Sequence, residues 1–411
     1  MRYLYLLIFF GGSVMAQNAN LHNRGEVFVN PNTLVSIRAS FFNEAPATFI
    51  NEGQVYFHGD VKNDGVLDFT RETGLSVFVG NRRQMFHGAQ PIYFNNLLLE
   101  NNSEEAPFHL YNEINVYGRV NFKKGIVNNE SYGGSFIFRE NAHHTNASDD
   151  SHVNGQVIKT GDENFIFPVG DDGYYRFAGV STIEIPTNYQ TQYFIENTYD
   201  KYPHSQKQES ISLINNSEYW TIVPTDNSEN EIMITLSWRM ETSPENIITA
   251  PQEDRIHIAR WDEDLQKWID EGGIVNVDEK TVSTVVNKFG VFTLARVKED
   301  KTVPCDFIVY NAITPNNDGM NDYFRIEMSD NSCAKNLSVQ IFNRWGVKVF
   351  EADNYGVGGN VFKGYSNGRV TLDSDRKLPP GTYYYVLNFE YETGNGLDNR
   401  KEAGYLFLSG N

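Results

Sequence analysis

Short runs of alternating apolar and polar residues make up most of the chain, and Asn, Gly and Asp residues separate them. Such alternation is typical of half-buried β-strands, because successive side chains of a strand point to opposite faces of its sheet. Helical spacing of apolar residues is nearly absent, and the separating residues are those that favour turns. The pattern predicts an all-β protein.

Residues 17–162 repeat one local pattern, in which an Asn-x-Gly step leads into an alternating run. The step occurs at residues 23–25, 51–53 and 63–65, and a Gly with a similar run returns at residues 118–122. We expect the glycines to supply positive φ at corners, and the runs to stack as rungs of a β-solenoid-like module. The steps are irregularly spaced, so an ordinary β-sandwich stays open as the alternative.

A second module is predicted at residues 163–297. Strand-like runs separated by polar turns occur at residues 164–169, 218–222, 232–238 and 291–295. Strands that recur in this way are typical of a β-sandwich.

One stretch of the second module fits two structures. One face of a helix could contain Trp261, Leu265, Trp268 and Ile269. Residues 256–261 and 267–269 also fit the two strands of a hairpin, with an acidic turn at residues 262–264. We favour the hairpin, because its first flank is strand-like and no clear N-cap precedes a helix.

The last module, residues 305–411, follows a short charged linker at residues 298–304. It contains four motifs in order: a proline turn with an Asn/Asp/Gly loop (313–324), two strands around an Asn-Arg-Trp-Gly corner (339–350), a turn that leads into an aromatic strand (378–387) and a closing strand (403–408). These motifs predict an Ig-like β-sandwich with its last strand in the sheet.

The four motifs resemble the gliding-motility-associated C-terminal domain, which is the type B sorting domain of the type IX secretion system in Bacteroidetes. The residues that carry the resemblance are Pro315, Asn316, Asp318, Gly319, Asn321, Asp322, Asn343, Arg344, Trp345, Gly346, Gly381, Tyr383, Tyr384 and Tyr385. Asn317 stands where the family usually has a Gly. The resemblance implies that the type IX secretion machinery recognises this folded domain for passage across the outer membrane, often with a partner barrel of the PorP/SprF type.

Residues 1–16 have the features of a secretory signal peptide. One positive charge precedes the apolar run at residues 4–10, and small or apolar residues lead to a cleavage site after Ala16. The run is much shorter than the roughly 20 residues that span a bilayer, and no later segment reaches that length. We therefore expect no transmembrane segment, and export by the general secretory route and then by type IX secretion, to the cell surface or the extracellular medium.

Composition narrows the possible functions. The 411 residues include 53 acidic and 34 basic side chains, which gives a net charge of −19, and 14% of them are aromatic. The aromatic content excludes a disordered polymer, because it offers enough apolar surface to offset the entropy lost on folding. The negative charge argues against a nucleic-acid binder, which needs a basic patch.

The two cysteines, Cys305 and Cys333, are a candidate disulfide. An exported protein enters an oxidising compartment, where such a pair can form and stabilise the fold. Two unpaired buried thiols are the alternative.

Two clusters offer weak candidate metal ligands, and no cofactor is assigned. His143, His144 and His152 could hold a transition metal, although a polar corner of the solenoid is the favoured explanation. Asp318 and Asp322, with their Asn neighbours, could bind Ca²⁺, but a network of Asx turns accounts for the same residues.

No catalytic constellation is found in the sequence. Residues 364–368 match the letters of a hydrolase nucleophile elbow, but that motif requires a following helix, which an all-β domain does not supply. We expect a structural or adhesin-like cargo, not an enzyme, with a surface glycan or a protein as its ligand. The alternatives are a glycan-binding protein and a polysaccharide-active enzyme on the solenoid.

Tyr384, which points away from Tyr383 and Tyr385 on its strand, is a candidate for partner contact.

Overall fold

The computed structural model describes residues 20–103, 106–183, 186–226, 230–249, 255–298, 307–328, 334–367, 377–393 and 396–410. The chain is nearly all β, with 54% strand and 3% helix, so the predicted fold class is confirmed. The predicted signal peptide, residues 299–304 of the predicted linker, and both Cys305 and Cys333 lie outside the described residues.

The N-terminal part is a β-solenoid of about seven turns, which confirms the solenoid prediction over the sandwich alternative. Its strands pair in parallel along three faces. The first face contains β1 (Asn20–Asn23), β4 (Ser40–Asn43), β7 (Val61–Asn63), β10 (Gln84–His87), β13 (Phe108–Leu110), β16 (Val127–Asn128), β19 (Val153–Asn154) and β22 (Val169–Asp171). The second contains β2 (Glu26–Val29), β5 (Thr48–Asn51), β8 (Val66–Asp68), β11 (Ile92–Phe94), β14 (Glu113–Val116), β17 (Ser135–Phe138) and β20 (Val157–Lys159). The third contains β3 (Leu34–Ile37), β6 (Gln54–Phe57), β9 (Leu75–Gly80), β12 (Asn96–Asn101), β15 (Arg119–Lys124) and β18 (His143–Thr145).

Buried asparagine side chains connect successive turns at one corner of the solenoid. Nδ2 of Asn23 donates to Oδ1 of Asn43 at 2.9 Å, and Nδ2 of Asn43 donates to Oδ1 of Asn63 at 2.8 Å. Neighbours in this asparagine ladder are 20 positions apart in the sequence. Because a buried amide without a partner is costly, the ladder holds the register between the turns.

The glycines of the Asn-x-Gly steps do not supply positive φ, and those after the first turn permit close packing instead, which corrects the role expected for these steps. Gly53, Gly65 and Gly118 are not among the positive-φ residues. A Cβ atom on Gly53 would lie 2.4 Å from the carbonyl oxygen of Thr33, and one on Gly65 would lie 2.2 Å from a carbonyl oxygen of the preceding turn. Gly25, in the first turn, has nothing within 4 Å of that position. At Gly53 and Gly65, the preceding turn therefore lies too close for a side chain, whereas Gly25 has no preceding turn beside it.

Phenylalanine rings fill the interior of the solenoid. The rings of Phe57 and Phe78 stack with centroids 4.9 Å apart, and Phe78 contacts Phe86 at 4.5 Å. Each such ring stabilises the fold by roughly 1.5–3 kcal/mol relative to an exposed position. The same hydrophobic cluster extends from Val29 to Leu294, so the solenoid and the middle module share one core.

The middle module is a β-sandwich, and its first sheet continues the second face of the solenoid. After β20 this sheet contains β25 (Tyr189–Phe194), β27 (Tyr219–Pro224), β33 (Gly290–Val297), β29 (Ile256–Asp262) and β30 (Lys267–Asp270), with β26 (Ile211–Ile214) on β33. The second sheet contains β21 (Phe165–Phe167), β24 (Ala178–Val180), β28 (Ile232–Ser237), β32 (Thr281–Val286) and β31 (Ile274–Asn276). The remaining elements in the described part of this module are β23 (Tyr174–Tyr175), which pairs with β22, the one-turn helix α1 (Glu245–Ile248) and a 3-10 turn (Thr198–Asp200).

The hairpin predicted within this module is confirmed. β29 and β30 pair in antiparallel register, with Trp261 opposite Trp268. Both indoles are buried in a small satellite cluster, so the spacing that suggested a helical face reflects two strands that bury the same side.

The C-terminal module packs a two-stranded sheet over a five-stranded sheet. The smaller sheet contains β34 (Phe307–Tyr310) and β36 (Arg325–Met328). The larger sheet has the order β35 (Ala312–Ile313), β40 (Gly396–Leu408), β39 (Gly381–Thr393), β37 (Ala334–Phe342) and β38 (Lys348–Ala352). A 3-10 turn (Val357–Gly359) lies after β38. The module has a hydrophobic core of its own, separate from that of the first two modules.

Candidate functional site

The four C-terminal motifs meet at one end of the five-stranded sheet. The first residue of β39, Gly381, pairs with Leu408 at the end of β40, and Ile313 at the end of β35 pairs with the same Leu408. Phe342, which ends β37, pairs with Tyr384. The proline loop, the Asn-Arg-Trp-Gly corner and the turn before β39 therefore all leave the sheet at this end, which we call the motif end.

Asp322 organises the loop that follows β35. Its carboxylate accepts the backbone N–H groups of Asn316 at 3.2 Å, Asn317 at 2.6 Å and Gly319 at 2.8 Å. Such a cluster of amide donors around one carboxylate fixes a tight turn. Asn317 has a φ of 62°, a left-handed conformation that Asn tolerates well. This explains how Asn can stand where the family usually has Gly.

Asp318 makes the second set of hydrogen bonds in this loop. Its carboxylate accepts from Nδ2 of Asn316 at 2.9 Å and from the backbone N–H of Met320 at 2.7 Å. These hydrogen bonds lower the pKa of Asp318. The loop is thus the self-bonded network of Asx turns. Its N–H groups donate to the carboxylates of Asp318 and Asp322, which are the weak Ca²⁺ ligand candidates.

Asn343 forms the corner between β37 and β38. Its Oδ1 accepts the backbone N–H groups of Trp345 and Val347, both at 3.0 Å. Gly346 has a φ of 75°, which favours glycine. The guanidinium of Arg344 lies 4.2 Å from the centre of the Trp345 ring, a cation–π contact that restrains the exposed indole.

The three consecutive tyrosines on β39 alternate between the faces of the sheet. Tyr383 is buried and its hydroxyl donates to the carbonyl oxygen of Pro379 at 2.8 Å, which ties the strand to the preceding turn. The ring of Tyr385 lies 5.1 Å from that of Phe324 in the core, and burial raises the pKa of Tyr385 to about 12. Tyr384 lies on the opposite face, 5.4 Å from the ring of Tyr405.

The outer face of the sheet contacts the middle module. Nε2 of Gln340 donates to Oε2 of Glu231 at 2.7 Å, and Nζ of Lys348 lies 3.2 Å from the same oxygen. Lys401 donates to the carbonyl oxygen of Val285. A small hydrophobic cluster joins the modules beside these contacts, and its buried members are Met233, Val285, Phe342 and Val386. The C-terminal module is therefore docked on the second sheet of the middle module.

Two of the three histidines proposed as weak metal ligands make hydrogen bonds to backbone carbonyl oxygens. A ring nitrogen of His144 lies 2.7 Å from the carbonyl oxygen of Ile166, and one of His152 lies 3.0 Å from that of Ser148. Burial lowers the pKa of both rings. His143 is exposed on β18. Within the described ranges, no group of three or more His, Cys, Asp or Glu side chains is placed to hold a metal ion.

Ser366, at the centre of the elbow-like letters, is buried instead of lying on a surface turn. Its hydroxyl donates to the carbonyl oxygen of Val349 at 2.8 Å, so it closes the loop onto β38.

Residues 307–408 match the family model described as the CHU_C type IX secretion signal domain. The chain carries a type IX secretion signal domain. The motif end is thus part of a sorting domain, and the protein is exported cargo of the type IX system, found at the cell surface or outside the cell. A search of the curated proteins found no match to the chain. No helix in the described part of the chain is long and apolar enough to cross a membrane.

Sequence reasoning missed the residues through which the sorting domain docks. Gln340 and Lys401 lie on strands whose alternation was visible, but their partners are in the middle module. Gly404, whose close contact lies within the sorting domain, was missed as well, although a glycine inside a strand often marks a close approach. A Cβ atom there would lie 2.4 Å from the hydroxyl of Tyr385.

Proposed function

We propose that the protein is a structural or adhesin-like surface component, with the solenoid and the middle sandwich as its working part. The observation that carries this proposal is the shared sheet and core of these two modules, to which the sorting domain is attached. About seven turns at about 4.8 Å each give a solenoid roughly 33 Å long. A continuous sheet of this kind resists bending and supports the role of a stalk.

The partners that we propose during export are the type IX secretion machinery and an outer-membrane barrel of the PorP/SprF type. The motif end offers them exposed side chains on rigid supports. Trp345 and Met320 are both largely exposed, and the hydrogen bonds of Asn343 and Asp322 hold their loops. Chemical crosslinking during export, from an introduced cysteine at Met320, would identify the proteins that contact this end.

Cell attachment tests the adhesin-like role. Removing the gene should reduce the attachment of cells to a surface or to one another, and the full chain should restore it. A chain lacking residues 305–411 should not restore attachment, because it should not reach the surface. Unchanged attachment after gene removal would contradict the adhesin-like role without affecting the sorting role.

The proposal assigns no catalytic step to the protein. Measuring new reducing ends after incubation of the purified mature chain with polysaccharides tests this directly. Release of sugars above that by heat-inactivated protein would favour the polysaccharide-active alternative.

A further inference from the structure

A groove separates the sorting domain from the middle module beside their contact. It has two adjoining parts, with volumes of about 420 and 600 Å³, and both are lined by Asn276, Tyr384 and Tyr405. Sites for small ligands commonly have volumes in this range and occur at domain interfaces. We call it the interdomain groove.

One wall of the interdomain groove is aromatic. Trp345 and Phe407 line it and are 54% and 52% exposed, respectively. Between them lie Tyr384 and Tyr405, which face each other across β39 and β40. The hydroxyl of Tyr405 donates to the carbonyl oxygen of Val275, so this ring is anchored to the opposite module. Exposed rings held in place in this way offer flat apolar faces for stacking at little cost in side-chain entropy.

The opposite wall, on the middle module, combines apolar side chains such as Ile166 and Phe177 with a row of small polar side chains. The hydroxyls of Thr235 and Ser283 lie 2.7 Å apart on neighbouring strands, and Thr281 and Asn276 continue the row. A hydroxyl both donates and accepts hydrogen bonds, and an amide offers one group of each kind. These groups match a ligand that itself carries many hydroxyls.

The charge at the interdomain groove disfavours an acidic ligand. Asp278 and Glu279 line it, and the lining cation, Arg344, is stacked on Trp345. The chain as a whole has a net charge of −19. An acidic polymer would be repelled, whereas carboxylates accept hydrogen bonds from neutral hydroxyls.

We propose that the interdomain groove binds a neutral oligosaccharide, with sugar rings stacked on the aromatic wall and hydroxyls bonded to the row of polar side chains around Thr235. Aromatic faces opposite a row of hydroxyls are the combination that suits a sugar, since a pyranose has apolar C–H faces and a polar rim. This site goes beyond the sorting function and does not rest on the adhesin-like proposal.

Tryptophan fluorescence of the purified mature chain gives a direct test. The chain has five tryptophans, and the four other than Trp345 are buried. A ligand in the groove should therefore change the emission of Trp345 in particular. The probes are cellohexaose, laminarihexaose, xylohexaose and mannohexaose, with a pectin oligosaccharide as the acidic comparison. Calorimetry on the same samples measures affinity independently of fluorescence.

Three variants separate binding in the groove from other effects. Trp345→Ala and Thr235→Val should each weaken binding at least tenfold by calorimetry. The first variant removes a stacking face, and the second removes a hydroxyl while keeping a side chain of similar volume. Tyr365→Ala is the matched control, since Tyr365 is 47% exposed on the sorting domain and does not line the groove. Its affinity should equal that of the unmodified chain. Circular dichroism confirms that each variant is folded.

The expected result is saturable binding of at least one neutral probe, lost in both groove variants and kept in the control. The proposal is overturned if no neutral probe binds at millimolar concentration, if only the acidic probe binds, or if folded Trp345→Ala binds as well as the control. None of these outcomes involves export, so failure here leaves the sorting function intact.

Discussion

Gly346 of the sorting domain packs directly against Ser181 of the middle module: a Cβ atom at Gly346 would lie 2.5 Å from that of Ser181. A signature residue of the sorting motif thus has two structural reasons to be glycine, its φ of 75° and this contact. The corner that contains Trp345 is therefore positioned by the middle module as well as by its own sheet.

Replacing Gly346 with Ala should destabilise this docked arrangement. The added Cβ meets Ser181, and the left-handed φ is unfavourable for Ala, so we expect a loss of about 1–3 kcal/mol in urea unfolding. Gly356→Ala is the matched control, because Gly356 has a φ of 87° with nothing within 4 Å of the Cβ position. Equal losses in the two variants would show that only backbone strain matters and that the contact with Ser181 contributes nothing.

The asparagine ladder should stabilise the solenoid. Asn43 is 1% exposed and donates both to Asn63 and to the carbonyl oxygen of Val66. Asn43→Ala removes these bonds and leaves buried partners unpaired, so we expect a loss of about 1–3 kcal/mol in denaturant unfolding. Asn30→Ala, at an exposed position nearby, should change stability little. If both variants unfold at the same denaturant concentration, the ladder does not hold the turns.

The middle sandwich contains a buried ion pair whose rupture should be costly. Nε and Nη2 of Arg176 donate to Glu218 at 3.2 and 3.1 Å, and the two residues are 1% and 0% exposed. Glu218→Gln leaves the Arg176 charge unpaired in the core, so we expect a loss of about 3–5 kcal/mol. Glu44→Gln, which breaks an exposed pair with Arg24, should leave the unfolding midpoint nearly unchanged. A small effect of Glu218→Gln would mean that water reaches the pair.

Glu52 should make the solenoid sensitive to acid. Burial disfavours its charged form, but hydrogen bonds from the loop at residues 70–73 outweigh this and hold the pKa of Glu52 below its usual range. A carboxyl with a lower pKa in the folded state stabilises the fold above its unfolded pKa of about 4.3, and this stabilisation disappears as the pH falls through the folded pKa. The melting temperature of the unmodified chain should therefore fall below that pH more steeply than that of Glu52→Gln. Glu72→Gln, at an exposed position of the same loop, is the control and should keep the steep fall of the melting temperature with pH. If Glu52→Gln and the unmodified chain have the same dependence of melting temperature on pH, Glu52 does not cause the acid sensitivity.

The sequence allowed the fold to be predicted where local pattern decides it. The alternation of apolar and polar residues predicted the strands, and the strand-like residues that flank Trp261 and Trp268 predicted the hairpin. Both signals are local, because the spacing of side chains that face one side depends only on the strand itself. The length of a solenoid turn was not visible, since corners tolerate inserted residues while the buried rungs stay in register. The role of Gly53 was also hidden, because the atom that excludes its side chain, the oxygen of Thr33, belongs to another turn.

The candidate site was predictable only in part for the same reason. Motif residues such as Asp322 and Asn343 accept hydrogen bonds from backbone N–H groups only a few positions away, so the local sequence is enough to predict these loops. The meeting of the motifs at one end requires the register of β35, β40, β39 and β37. The interdomain groove depends on contacts such as Gln340 with Glu231, which are separated by 109 positions.

The most direct test of the central claim is protease accessibility on whole cells that possess a type IX system. Three chains are compared: the full chain, the chain ending at residue 304, and a reporter carrying residues 1–16 at its start and residues 298–411 at its end. The account predicts that added protease digests the full chain and the reporter fusion, while the truncated chain remains protected in the periplasm. Surface exposure of the truncated chain, or retention of the reporter fusion inside the cell, would contradict it.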